Sequence, residues 1–274
     1  HIELVPMLGA TKALRDGTAD AMIAGSVHDL LTEFPQWEGA KLAVALSQGT
    51  PWLLVVRADL EARRGDVGAV KGLRLTAAEG PDLALCQMLV DAKIHPEKDL
   101  RIVKLPGAKA RNVSFGVFAA HALEAGEIDG FWANAMGAET AVRSGVGKVL
   151  LDVRRGDDPA DVRHFTFAGL ATTERLIERD AESVAAAVRA IVKTQKALRS
   201  DPALAAEVGR RRFPQEAAEL ITTIVKRDLP FYDPVIYEEA VEGLNRFAQA
   251  IGHLPSQVPY DQVVAVRFRD LWRA

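Results

Sequence analysis

Short apolar runs alternate with segments of helical period over the first 155 or so residues, after which the period is helical almost throughout. Runs at Ala21–Ala24, Leu42–Leu46, Trp52–Val56, Leu73–Ala77, Ile102–Leu105, Gly130–Trp132, Val149–Val153 and Phe165–Ala171 predict strands. Between them, Ala10–Asp16, Ser26–Thr32, Pro81–Ala92 and Val113–Ala125 predict helices. Short apolar strands separated by helices imply an α/β architecture with mostly parallel sheets. From Glu174 onward, positions such as Val184, Val188, Ile191, Val192 and Gln195 keep to one helical face. Ser200-Asp201-Pro202 opens a further helix with proline in its first turn, and Asp228 to Pro234 forms a rigid connector.

One segment occurs twice. Ala13-Leu14-Arg15-Asp16-Gly17-Thr18-Ala19-Asp20 and the apolar run after it return as Ala122-Leu123-Glu124-Ala125-Gly126-Glu127-Ile128-Asp129 and its own apolar run. An apolar stretch precedes each copy, Ile2–Pro6 before the first and Leu100–Leu105 before the second. The pattern reads as one strand–helix–strand unit used twice, with Gly17 and Gly126 as left-handed helix caps. Two such units predict two similar lobes with a cleft.

Composition narrows the function classes. The 274 residues carry a formal charge of −3, with 49% hydrophobic and 26% charged positions, as in a folded globular protein. Near-neutrality argues against a nucleic-acid binder with a global basic field, and Arg210-Arg211-Arg212 reads as a solvated helix end. The single Cys86 excludes an intrachain disulfide or a cysteine-rich metal site, and the histidines show no paired metal spacing. No nucleophile elbow, His-Glu-x-x-His, phosphate-binding loop or dinucleotide fingerprint occurs, so no catalytic residue, metal ligand or cofactor is assigned. Cys86 itself reads as a packed thiol within the Pro81–Ala92 helix.

Ligands of open α/β sheets sit beyond the carboxyl ends of the strands, where helix N-termini present free N–H groups. Three junctions qualify. In Gly25-Ser26-Val27-His28, Ser26 is either a plain N-cap or one that also offers its hydroxyl to a ligand, and His28 faces either the pocket or solvent, the surface being the favoured reading. In Glu79-Gly80-Pro81-Asp82, Gly80 permits close backbone approach and Asp82 either complements the helix dipole or faces the cleft. In Trp132-Ala133-Asn134, the indole is a pocket wall or a core aromatic, and Asn134 is a ligand amide or an N-cap. Gly49, within Gln48-Gly49-Thr50, is a weaker candidate. Trp37, Trp52 and Trp272 read as structural or surface aromatics.

The duplicated pattern resembles the type II periplasmic solute-binding proteins of ABC importers, in particular the nitrate/sulfonate/taurine branch that also includes thiamine-precursor binders. Ser47 to Arg57 resembles that family's first-lobe strand pair and Lys71-Gly72-Leu73-Arg74-Leu75-Thr76 the opening of its second lobe. Phe131-Trp132-Ala133-Asn134 stands at its aromatic-then-polar position, and Glu242 to Phe247 resembles its C-terminal helices.

The resemblance implies a two-lobed fold, with residues 1–67 plus 166–274 as the first lobe and 68–165 as the second. It implies binding of a small solute between the lobes (nitrate, sulfonate, taurine, a pyrimidine or an aromatic acid) by hinge closure. The ligand-binding residues are then Ser26, Val27, Gly49, Gly80, Pro81, Asp82, Trp132 and Asn134. It also implies a permease partner in the inner membrane, no nucleic-acid partner, a monomer, and a periplasmic or lipid-anchored location outside that membrane. A first-lobe strand that precedes Ile2–Pro6 in the family is expected to lie outside this sequence. Enzymes on the same fold, resembling pyrimidine-precursor synthases or desulfinases, are the alternative; a sensing domain of a regulator is a third.

Overall fold

The structure is a computed structural model in which residues 3–5, 9–105 and 114–273 are described. The chain gathers into two compact units. The first comprises His1–Gln48, Thr166–Gln195 and Asp233–Ala274, and the second Gly49–Phe165 and Lys196–Tyr232.

The first unit holds a three-stranded sheet of β1 (Ala21–Ala24), β2 (Ala40–Ser47) and β8 (Ala168–Thr173), in the order β1-β8-β2. Helix α1 (Ala10–Asp16) leads into β1, and α5 (Glu174–Arg179) and α6 (Ala181–Ser200) follow β8. Val184, Val188, Val192 and Gln195 form the buried stripe of α6, and Gln195 Nε2 donates to the carbonyls of Ala45 and Leu46 at 3.1 and 2.9 Å. Helices α9 (Glu238–Ala250) and α10 (Tyr260–Val263) close the unit, and buried Trp272 donates its Nε1 to Ala43 O at 2.9 Å.

The second unit holds β3 (Leu53–Arg57), β4 (Arg74–Ala77), β5 (Arg101–Ile102), β6 (Gly130–Ala133) and β7 (Gly147–Asp152), in the order β5-β4-β6-β3-β7. Helices α3 (Phe115–Glu124) and α4 (Ala135–Arg143) pack on the face carrying Leu53, Val55, Phe131 and Ala133. Successive side chains on a strand point to opposite faces, so Trp132 lies on the other face, where α2 (Pro81–Asp91) packs on β4 and β6. α7 (Leu204–Arg212) and α8 (Gln215–Asp228) join this unit through Ile224, which packs on the α3–α4 core, and Thr223, bonded to Arg143 at 2.6 Å.

The α/β class and the alternation hold, but the sheets are mixed rather than mostly parallel. Among the described residues the ladders β4–β5 and β4–β6 are parallel, while every ladder formed by β3 or β8 is antiparallel. Each sheet is a parallel set into which one strand from a distant part of the chain is inserted: β8 between β1 and β2, and β3 between β6 and β7. Consecutive local patterning reveals the parallel set and is silent on the inserted strand. The same insertion divides Ser47 to Arg57, read above as one strand pair: β2 stays in the first sheet and β3 enters the second. Residues 49–67 and 196–232, placed by the resemblance in the first lobe, cluster with the second unit.

Smaller differences are local. Ser26–Thr32 is a single 3-10 stretch, Val27–Thr32, and Phe165 to Phe167 precede β8 rather than joining it. Asp201-Pro202-Ala203 is the turn before α7, its Asp201 side chain accepting from Ala203 N at 2.9 Å. Val113, Ile2 and Pro6, which bound predicted elements, lie outside the described residues. Arg210, Arg211 and Arg212 end α7 exposed to solvent, as expected. No helix among the described residues is long and apolar enough to cross a membrane.

The duplicated segment repeats in its hydrogen bonds. Gly17 N donates to Leu14 O and Thr18 N to Ala13 O; Gly126 N donates to Leu123 O and Glu127 N to Ala122 O. Both glycines hold positive φ, 75° and 70°, a region in which a Cβ is strained.

Candidate functional site

In the second unit, β4 and β6 run parallel with Ala77 beside Trp132, so their carboxyl ends share one edge of the sheet. Antiparallel β3 begins at that edge, Leu53 pairing with Ala133 and with Asp152, the last residue of β7. Topology thereby brings Gly80, Pro81 and Asp82, the Trp132–Asn134 step and the segment leading into β3 to one side of one sheet. Ser26 and Val27 follow β1 at the corresponding edge of the first unit's sheet.

The N-termini of α2, α3 and α4 supply main-chain donors at this edge. Gly80 caps α2 with φ 93°, Pro81 occupies the first turn, and Asp82 Oδ1 accepts from Gly80 N at 3.0 Å. Asp82 therefore ties down its own helix start. Asn134 Oδ1 accepts from Gly137 N at 3.3 Å, capping α4, while its Nδ2 donates to Ser114 Oγ at 3.0 Å. Ser114 precedes α3 and makes no side-chain bond to that helix's amides, so the two N-caps are bonded to each other instead. The helix starts touch: a Cβ on Gly137 would lie 2.4 Å from the backbone carbonyl of Gly116. Asn134 stays exposed, whereas Trp132 is fully buried. The Trp132 ring meets Trp52 edge-on at 6.1 Å, and its Nε1 has no hydrogen-bond partner among the described residues.

Gly49 sits at φ 70°, and a Cβ there would lie 3.2 Å from the Arg154 side chain. Thr50 Oγ1 donates to Val162 O at 2.6 Å. In the first unit, Ser26 is buried with its hydroxyl donated to Asp29 Oδ2 at 2.6 Å, so it caps no helix amide; Val27 N donates to Phe167 O at 3.1 Å. His28, expected at the surface, is fully buried, its ring edge-on to Phe247 at 5.1 Å. Trp37, Trp52 and Trp272 are buried structural aromatics.

Sequence reasoning passed over two features at this edge. One is Ser114, which its place before the Phe115 run could have flagged as a cap. The other is an ion network at the end of β7, within a stretch that reads as a charged loop. Asp228 Oδ2 lies 3.1 Å from Arg154 and Asp228 Oδ1 2.7 Å from Arg155, which also reaches Asp152 at 2.5 Å. The guanidinium groups of Arg154 and Arg155 both face the Phe231 ring, at 4.6 and 4.7 Å. Burial pushes the Asp228 carboxyl up, but bonds and charges from Arg227, Arg154 and Arg155 hold it below the usual carboxylate range. Cys86 lies half-buried on α2, and burial, with Asp82 and Glu97 nearby, pushes its thiol up, away from a reactive thiolate.

No protein-family model matches the chain, and comparison with curated proteins finds no match in sequence. Solved structures do share its fold. The periplasmic aliphatic sulphonate binding protein SsuA from Escherichia coli is 16% identical with a TM-score of 0.70, over 93% of this chain and 78% of that one. The periplasmic nitrate-binding protein NrtA from Synechocystis PCC 6803 is 14% identical with a TM-score of 0.63, over 96% and 76%. The desulfurization enzyme DSZB is 16% identical with a TM-score of 0.60, over 95% and 86%. The chain thus has the α/β fold common to these binding proteins and to that enzyme.

Proposed function

We propose that this protein binds a small organic or oxyanionic solute and delivers it to an ABC permease. The carrying observation is the edge built from Gly80–Asp82, Trp132, Ser114 and Asn134, where helix N-termini and polar side chains meet. Such an edge suits a ligand held by main-chain N–H and amide groups. The fold shared with sulphonate- and nitrate-binding proteins supports the same reading and the same solute classes. Location outside the inner membrane, periplasmic or lipid-anchored, belongs to the proposal, as does solute capture by hinge closure.

Titration calorimetry with taurine, alkanesulfonates, nitrate and aromatic acids, followed by mass analysis of the released solute, tests it. The expected result is saturable binding with the solute returned unchanged. Turnover of an aromatic sulfinate would instead place the chain with the DSZB-like alternative. Small-angle scattering checks hinge closure, with an unchanged radius of gyration on binding counting against it. Asn134→Ala should weaken binding by about 1–3 kcal/mol if its amide pairs with buried solute.

A further inference from the structure

A cavity of about 390 Å³ lies wholly within the first unit, walled by residues 235–238 and by the end of the 3-10 helix Val266–Trp272 with Arg273 after it. Its lining shares no residue with the edge of the second unit described above. Ile236 and Trp272 are buried at its base, with Val235 half-buried beside them. Tyr237, Glu238, Arg269 and Arg273 are exposed and form its rim.

The walls are fixed from behind. Trp272 is tied to β2 through Ala43 O, and Ala45 N of the same strand donates to Pro234 O at 3.0 Å. Gln48 Nε2 donates to the carbonyls of Asp233 and Val235 at 2.9 and 2.7 Å, and the Tyr260 hydroxyl donates to Ile236 O. The Asp233 carboxylate accepts from Val235 N at 3.0 Å and from the Tyr237 hydroxyl at 2.8 Å. The cavity is therefore pre-formed, and the carbonyls of residues 233–236 are already engaged. What remains to meet a ligand is charge, from Glu238, Arg269 and Arg273. The Arg269 guanidinium is held over the Tyr260 ring at 5.3 Å, and Glu238 lies 3.7 Å from it, the two charged side chains 51% and 72% exposed. An ion pair so exposed is weak and readily exchanged for a better-placed partner.

We propose that this cavity is a binding site for a small monocarboxylate with a flat apolar body, of the arylacetate kind. The body packs on Trp272, Ile236 and Val235, and the carboxylate is held at the rim by Arg269 and Arg273. Two guanidinium groups set against Glu238 leave one positive charge, which matches a single carboxylate. The planar fork of an arginine pairs with a carboxylate through two parallel bonds, and a flat ring against an indole gains contact beyond its buried area. A volume of this size accommodates such a molecule. The site is independent of the solute edge, so either can stand without the other.

Fluorine NMR of the whole chain, with trifluoromethyl-phenylacetate as the probe, tests the proposal. The expected result is saturable binding with a Kd at or below about 1 mM. Trifluoromethyl-phenylacetamide keeps the body, lacks the charge and should bind at least about tenfold more weakly. The double substitution Arg269→Gln/Arg273→Gln should weaken the acid by the same factor of about ten, at an unchanged melting temperature because both side chains are exposed. Asn134→Ala should leave the acid's affinity as it is. No saturation up to about 10 mM, or an amide that binds as well as the acid, overturns the proposal. So does an acid that keeps its affinity in the double variant. If that affinity is lost in Asn134→Ala instead, the acid belongs to the edge of the second unit, and the solute reading stands while this one falls.

Discussion

Removing the Asp228 carboxylate should be the most damaging single change at the end of the second sheet. Asp228→Ala deletes the partner of Arg154 at 3.1 Å and of Arg155 at 2.7 Å. The consequences for the two arginines differ. Arg155, 24% exposed, keeps Asp152 at 2.5 Å and some access to water. The Arg154 side chain is 3% exposed, and its remaining acid, Asp152 Oδ1, lies 4.0 Å away. A guanidinium left buried with a distant counter-charge costs about 3–5 kcal/mol. The surviving Phe231 face and Asp152 place the expected loss near the lower bound, about 3 kcal/mol.

Urea unfolding followed by tryptophan fluorescence reads this directly, since Trp52 and Trp132 lie in the same unit. With a slope of about 3 kcal/mol per molar, the midpoint should fall by about 1 M. The double variant Arg154→Met/Asp228→Leu removes both charges and should recover most of that loss. A loss below about 1 kcal/mol for Asp228→Ala, or a double variant no better than the sum of its singles, would refute the account of a buried, mutually dependent pair.

Three further outcomes follow from the same geometry. Gly137→Ala drives a methyl into the Gly116 carbonyl and should cost about 1–3 kcal/mol in thermal or chemical unfolding, whereas Gly145→Ala, with open space around it, should show only the strain of a positive φ. Asn134→Ala removes the α4 cap and should cost about 0.5–2 kcal/mol of stability, with Asn134→Ser recovering most of it. Acid should destabilise the second unit: Arg74 holds the Asp129 carboxyl below its ordinary range and Arg227 with Arg154 does the same for Asp228. For a depressed carboxylate the stabilisation is present above the unfolded value of about 3.9 and is lost as pH falls through the folded one. Unfolding midpoints measured from pH 6 to pH 2.5 should therefore drop below about pH 4, and Asp129→Asn should flatten part of that drop.

The local half of this fold was legible because each βα step is written in one stretch of chain. The run before Asp129, the Gly126 cap and the apolar Gly130–Ala133 strand need no information from elsewhere, and the first copy of the same step was readable for the same reason. The inserted strands were not. Nothing in Leu53–Arg57 says that it pairs with Gly130–Ala133 and Gly147–Asp152, because an apolar run buried on both faces fits any inner position of a sheet. Lobe assignment inherits that ambiguity at each point where the chain passes between units.

The site divides along the same line. Gly80, Pro81 and Asn134 are visible from sequence because capping chemistry is local, and a helix N-terminus is an anion-compatible donor wherever it sits. Depth is a different quantity, fixed by what the rest of the chain lays over a residue. His28 and Ile23 show this in opposite senses: a polar ring expected outside is sealed against Phe247, and an apolar side chain in a strand stands half in solvent. Trp132 sits between these cases, apolar in bulk and fully buried, yet with an indole N–H that has no partner among the described residues. An unpaired buried donor costs about 1–3 kcal/mol, so a variant that keeps the ring and loses the donor separates its two roles. Replacing the Trp132 indole with benzothiophene, which keeps a bicycle of the same shape and has no N–H, should leave the melting temperature unchanged or raised if no ligand uses the N–H. A weaker solute affinity at unchanged stability would show that the N–H is held in reserve for a ligand.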